Sequence, residues 1–147
     1  MAVAVVTGGS GGIGRACVER LARDGFEVVS VDSAPPSQPG SGTHIAADLL
    51  DVEGALEAIR GACDRVDVLV NGAGVVERAP FGEVTPADWE RVVGVNARAP
   101  FFLLQGLAER MPQGSAVVGI ASIEAVTVLS MSGATSSVYA STKAALR

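Results

Sequence analysis

The stretch VAVVTGGSGGIGRA, Val3 to Ala16, runs from an unbroken apolar segment through five glycines into a helical pattern. Val3 to Val6 carry no alternating polar residue, which predicts a strand buried on both faces. Beyond the glycines, Ile13, Cys17 and Leu21 recur at helical spacing, and Gly25 supplies a stop. Gly8, Gly12 and Gly14 stand at the junction as T-G-x-x-x-G-x-G. Glycine there permits positive φ and lets a phosphate approach the backbone. The helix start adds free N–H groups and partial positive charge, which suit a pyrophosphate. A plain tight turn is the competing reading. The placement between a first strand and a first helix favours nucleotide binding.

The same alternation continues along the chain. Further strands are expected at Glu27–Val31, Thr43–Ala47, Val66–Val70 and Ser115–Ile120. Asp51 can cap a helix with an apolar face of Val52, Leu56, Ile59 and Cys63. Thr85 followed by Pro86 reads as an N-cap and first helical residue, with Trp89, Val92 and Val93 turned inward. A second helical segment, Phe101 to Met111, is expected after Pro100, its Phe101–Leu104 run serving the core or a subunit interface. Strands and helices in this order predict an α/β fold, a doubly wound parallel sheet of Rossmann type with strand order 3-2-1-4-5, in a single domain spanning 1–147. The link DSAPPSQPGSGTHIAAD, from Asp32 to Asp48, holds three prolines and no helical pattern, so it is expected to be a loop.

Composition narrows the function classes. The chain has 147 residues, 48% of them apolar, enough for a real core and against disorder. A net charge of −5 argues against nucleic acid as a partner. No apolar run approaches the ~20 residues of a membrane helix, and the N-terminus lacks the pattern of a signal peptide. Cys17 and Cys63 have no metal-ligand spacing and are expected to be buried thiols, so the expected setting is cytoplasmic.

Asp32 ends the second strand, 18 residues past Gly14. A carboxylate there can accept hydrogen bonds from both adenosine ribose hydroxyls and would repel a 2′-phosphate. No Arg or Lys lies in DSAPPSQPG or in the glycine loop before Gly14. A solvated turn aspartate is the alternative; the chemistry favours NAD(H) over NADP(H).

Taken together, Thr7–Gly14, Asp48–Leu49, Asn71-Gly72-Ala73-Gly74, Asn96, Ser122 and Tyr139-x-x-x-Lys143 resemble the short-chain dehydrogenase/reductase family over the whole chain. The resemblance implies that Asp48 and the Leu49 backbone hold the adenine ring. Asn71, Ala73 and Gly74 match the segment that supports cofactor and sheet, while Gly72 replaces the family's second asparagine. Asn96 matches the residue whose carbonyl positions a water beside the lysine. Ser122 stands where the catalytic serine is expected, although 17 residues separate it from Tyr139, about four more than is usual in the family. Ser130, Ser132, Ser136 and Ser137 lie within that interval. The link after Asp32 is similar to that of the family's dihydrodiol dehydrogenases.

The implied reaction is hydride transfer between a small-molecule alcohol or ketone and NAD. A phenol with a pKa near ~10 is a poor base at neutral pH. Lys143 lies one helical turn from Tyr139, and its charge favours phenolate. The lysine can also bond the nicotinamide ribose. Ser122 would hydrogen-bond the substrate oxygen. Y-x-x-x-K by itself is more often an ordinary helix surface; the glycine loop and Asn96 raise it to a catalytic pair. His44 is expected at the surface, Arg78 as an exposed loop charge, and VTVLSMSG (residues 126–133) as a packed loop or an apolar substrate wall. Relatives of this kind run on well past the position of Arg147, so this chain is expected to lack the C-terminal strands, to bind the adenosine half and to turn over poorly alone. A homo-oligomer is expected of the full-length form. The rival reading is a non-catalytic dinucleotide-binding module.

Overall fold

Five residues, Val3–Thr7, form strand β1, every one of them buried. Their side chains alternate between two faces. Val3 and Val5 join Val29, Val31 and Leu69 on one side, and Ala4 and Val6 join Val28 and Val70 on the other. A strand without a polar face needs cover on both sides, and helices supply it. The computed structural model describes residues 1–77, 79–127, 130–131 and 134–146, with the backbone alone at 130, 131, 134 and 135.

Strand β1 pairs in parallel with β2 (Glu27–Asp32) and β4 (Val68–Asn71), while β3 (Thr43–Ala46) and β5 (Ala116–Gly119) flank them. The order is β3-β2-β1-β4-β5, as the alternation predicted. Helix α1 (Gly12–Arg23) covers one face through Cys17, Val18 and Leu21. Helices α2 (Val52–Ala62) and α4 (Ala99–Leu107) cover the other, where Leu56, Ile59, Leu103 and Leu107 pack on the strands. Thr7 is level with Val31 and Asn71, so the strands' C-terminal ends open together at one rim.

The punctuation is where composition put it. Gly25 takes φ 91° behind α1, and Asp51 accepts from the Gly54 N–H at 3.1 Å. Thr85 and Asp88 form a reciprocal capping box at the start of α3 (Pro86–Val93). Residues 33–42 contain neither helix nor strand. Among the described residues, no helix is long and apolar enough to cross a membrane.

Several expectations give way. The segments on either side of Pro100 are one helical run. Gly94–Arg98 forms a wide π turn in which the Ala99 N–H reaches back to the Gly94 carbonyl. Pro100 lacks an N–H, and the widened turn just before it relieves the carbonyl crowding a proline causes inside a helix. Trp89 is 49% exposed rather than inward, whereas Val92 is buried. Ile13 is 63% exposed because the first turn of α1 faces the rim, not the core. Cys17 is only half-buried, and Cys63 is buried. His44 is half-buried rather than exposed: it sits in β3, and neither buried ring nitrogen has a hydrogen-bond partner among the described residues. Leu103 is in the core, but Phe101, Phe102 and Leu104 are exposed. Ser130–Met131 (β6), inside the stretch expected as a packed loop or an apolar substrate wall, pairs antiparallel with Ala134–Thr135 (β7) just beyond it. The last helix, α5 (Ser137–Ala145), carries Tyr139 and Lys143.

Candidate active site

At the rim, β1 and β4 meet through bare backbone. Gly8 has φ 69°, and a Cβ there would lie 2.7 Å from the Ala73 Cα. A Cβ at Gly72 would meet the Thr7 carbonyl at 2.8 Å, so bare backbone is required here too. Thr7 Oγ1 accepts from the N–H groups of Gly72 and Ala73, both at 3.2 Å, and closes the junction. A Cβ at Gly14 would collide with the Gly8 carbonyl, which accounts for the third glycine of the loop.

Above this junction lies a cavity of about 640 Å³. Gly8, Gly12, Ile13 and Gly14 line it from the glycine loop, and Asp32 from the end of β2. Asp48 and Leu49 follow β3, and Ala73 and Gly74 follow β4. Every cofactor residue expected from the sequence therefore shares one cavity, apart from Asn71, Tyr139 and Lys143. Ser33, Leu50, Arg91 and Val95 also line it and had no recognisable signal. The first turn of α1 has no side-chain cap and no acidic residue. Its unbonded N–H groups are open to an anion. The backbone cradle and the donor set fit a dinucleotide phosphate.

Asp32 is held at the cavity wall. One carboxylate oxygen accepts from the Ser10 N–H at 3.0 Å and the other from the Ala34 N–H at 3.1 Å. Asp48 accepts from the Leu50 N–H at 2.9 Å. Asn71 is buried, and its side-chain oxygen has no partner among the described residues. One cation lies nearer the loop after β2 than expected. Arg15 reaches Ser37 at 3.5 Å and Gln38 at 3.4 Å, while its Nε pairs with Glu19 at 2.9 Å.

A second cluster adjoins the cavity. Lys143 is buried, with Nζ 5.5 Å from the centroid of the Tyr139 ring. Its ammonium donates to the Ile120 carbonyl at 2.7 Å, and desolvation pulls its pKa below the ordinary lysine value. Asn96 is fully buried in the π turn. Its oxygen accepts from the Val75 N–H and its amide donates to the Val75 carbonyl, each at 2.8 Å. The same amide reaches Thr142 Oγ1 at 3.1 Å and so fastens the loop after β4 to α5. A Cβ on Gly74 would lie 3.4 Å from Lys143 Nζ and 3.7 Å from the Asn96 oxygen. One bare residue thus forms both a wall of the cavity and the floor under Lys143.

Ser122 follows β5 but is engaged locally. Its hydroxyl accepts from the Glu124 N–H at 3.2 Å and, among the described residues, is not hydrogen-bonded to the phenol. The Ser136 hydroxyl is hydrogen-bonded to Glu124. Arg78 and Ser132 lie outside the described residues, as do the Ser130 side chain and much of the 126–133 stretch. Glu77 escaped the sequence reading altogether; it is buried against α5.

A parallel 3-2-1-4-5 sheet with a glycine-lined cavity at its C-terminal rim defines the Rossmann class of α/β proteins. The family model for short chain dehydrogenase matches residues 2–147, and the chain belongs to that family. D-threitol dehydrogenase of Mycolicibacterium smegmatis is 34% identical over 86% of this chain and 55% of its own length. Gluconate 5-dehydrogenase of Gluconobacter oxydans is 36% identical over 82% of this chain and 53% of its own. The crystal structure of a blue fluorescent protein from a metagenomic library, in complex with NADPH, is 36% identical. It superposes with a TM-score of 0.87 over 99% of this chain and 64% of that one. The chain thus spans little more than half the length of the two curated relatives.

Proposed function

We propose that the protein is an oxidoreductase that moves a hydride between NAD(H) and a secondary alcohol or ketone, with Tyr139 as the acid/base. The observation that carries this reading is Gly74, which brings the dinucleotide cavity and the Tyr139–Lys143 pair to opposite sides of one backbone residue. Bound nicotinamide would accept or deliver the hydride. The residues of the chain handle the rest. Gly8, Gly12, Ile13 and Gly14 present backbone to the phosphates, Asp32 takes the ribose, and Asp48 with Leu49 flanks the adenine. Asn71, Ala73 and Gly74 hold the wall beneath the nicotinamide half.

Tyr139 exchanges its phenolic proton with the substrate oxygen. The Lys143 ammonium beside the ring favours phenolate and can reach the cofactor ribose. Ser122 supplies a hydroxyl toward the substrate oxygen once a ligand draws it from Glu124, and Asn96 anchors the proton path behind the lysine. Polyols and sugar acids head the substrate panel, since threitol and gluconate name two relatives. NADH absorbance with NAD and that panel tests the activity. Binding without turnover across the panel would leave a dinucleotide-binding module instead.

Two groups bear on the choice of cofactor. Arg15 favours a 2′-phosphate, and the NADPH-bound neighbour shows that the fold can take one. Asp32 opposes it. Its carboxylate is fixed by two backbone N–H groups, whereas Arg15 makes only long contacts to the loop and is already paired with Glu19. A carboxylate and a phosphate about 4 Å apart repel by ~1–4 kcal/mol near a surface. NADH should therefore bind at least about fivefold more tightly than NADPH, and Asp32→Ala should narrow the gap. Fluorescence titration of both cofactors decides it; tighter NADPH binding would reverse the assignment.

A further inference from the structure

Helix α5 begins without a cap of its own. Ser136, at the N-cap position, makes no side-chain hydrogen bond to the helix, and the first turn holds no acidic residue. The opening N–H groups of a helix still need acceptors. Glu77 provides them from 61 residues away. One oxygen accepts from the Val138 N–H at 2.6 Å, and the other accepts from the Tyr139 N–H at 3.0 Å. The Glu77 side chain is 2% exposed, and among the described residues it has no cationic partner.

Burying a carboxylate is expensive, and two N–H donors at the positive end of a helix only partly offset the penalty. A side-chain cap from Ser136 itself would carry no such cost, but that hydroxyl is hydrogen-bonded to Glu124 instead. A local cap, however, could not join the helix to anything else. Glu77 ends the same short loop that lines the cavity with Ala73 and Gly74 and grips Asn96 through Val75. Two ties therefore run from this loop to α5. Asn96 to Thr142 holds the middle of the helix, and Glu77 holds its first turn at the amide of Tyr139 itself.

We propose that Glu77 is a positioning residue: its buried carboxylate caps α5 from the cofactor-side loop and sets the place of the Tyr139 phenol relative to the cavity. The proposal rests on the acid/base reading of Tyr139. Glu77 touches neither cofactor nor substrate, so it acts through the helix.

The test compares Glu77→Ala and the near-isosteric Glu77→Gln with the parent. Amide hydrogen exchange reads the cap directly. The Val138 and Tyr139 amides should lose protection in Glu77→Ala while the β1 and β4 amides keep theirs. In turnover assays kcat should fall on the order of 10²-fold, as for an acid/base displaced by a fraction of its reach, with NADH affinity unchanged. Formate should restore part of the rate to Glu77→Ala, and chloride should not. Glu77→Gln, which keeps one acceptor oxygen but turns an N–H toward the other donor, should fall between the two and carries the test if the alanine variant does not fold. Unchanged kcat with both amides still protected would overturn the proposal. So would a uniform loss of protection and NADH binding in both variants, which marks a residue that merely stabilises the fold. If Tyr139→Phe retains its rate, the acid/base reading fails instead, and amide exchange still judges the cap separately.

Discussion

Replacing Tyr139 with phenylalanine is expected to lower turnover by ~10²–10⁴-fold, the range general acid–base catalysis supplies, while NADH binding stays nearly intact. The ring packs as before and only the hydroxyl is lost. Helix α5 keeps its ties, because they run through the Tyr139 amide, Thr142 and Lys143 rather than through the phenol. Tyr139 is not among the residues that line the cavity. A variant that keeps most of its rate would remove Tyr139 from the mechanism and shift attention to the serines between Ser122 and Ser137.

Lys143→Met should separate function from stability. Lys143 is 3% exposed, and among the described residues its ammonium has a single hydrogen-bond acceptor, the Ile120 carbonyl. Desolvation holds its pKa down, so the folded state releases this proton at a lower pH than the unfolded state does. The penalty is therefore full below the folded pKa and fades as pH rises from there to the ordinary lysine range, near ~10.4. Methionine fills a similar volume without a charge. At neutral pH the variant should melt at a higher temperature than the parent, and the gain should shrink as the pH approaches the ordinary lysine range. Turnover should collapse and NADH should bind more weakly, since the same ammonium serves phenol and ribose. Calorimetry across pH with a parallel activity assay gives both readings. A lower melting temperature at neutral pH would show that the bond to Ile120 outweighs desolvation. A buried, poorly partnered cation is a common form of the conflict between activity and stability.

The sheet was legible because its central strands are rich in valine, and continuous apolar runs between helical patterns leave few arrangements. The caps at Asp51 and Thr85 were legible for a related reason: they act within three residues of themselves. Most of the cavity followed from glycines whose neighbours demand bare backbone. What escaped depends on chain separation. Nothing local distinguishes Glu77 from a solvated loop acid, because its partners lie 61 and 62 residues onward. Arg15 was passed over since it projects from the helix toward Ser37 and Gln38 rather than from the glycine loop. Trp89 and Ile13 fit helical spacing, yet periodicity gives a stripe without its edges, and both stand at an edge. Pro100 misled for the opposite reason. The rule that proline breaks a helix assumes the 3.6-residue turn, and the turn before Pro100 is wider.

That wide turn amounts to one surplus residue in a rod of otherwise regular pitch. Each residue of an α-helix advances the azimuth by about 100°. Deleting one residue of Gly94–Arg98 would let the rod regularise with the turns on either side keeping their azimuth, because the wide turn holds one residue more than an α-turn needs. Leu103 and Leu107 would stay in the core, and the cost would fall on Pro100, whose ring would then meet the carbonyl one α-turn back. A one-residue deletion there should therefore melt below the parent, which thermal scanning by circular dichroism can measure. What the surplus residue protects is the seat of a proline, not the pitch of the rod.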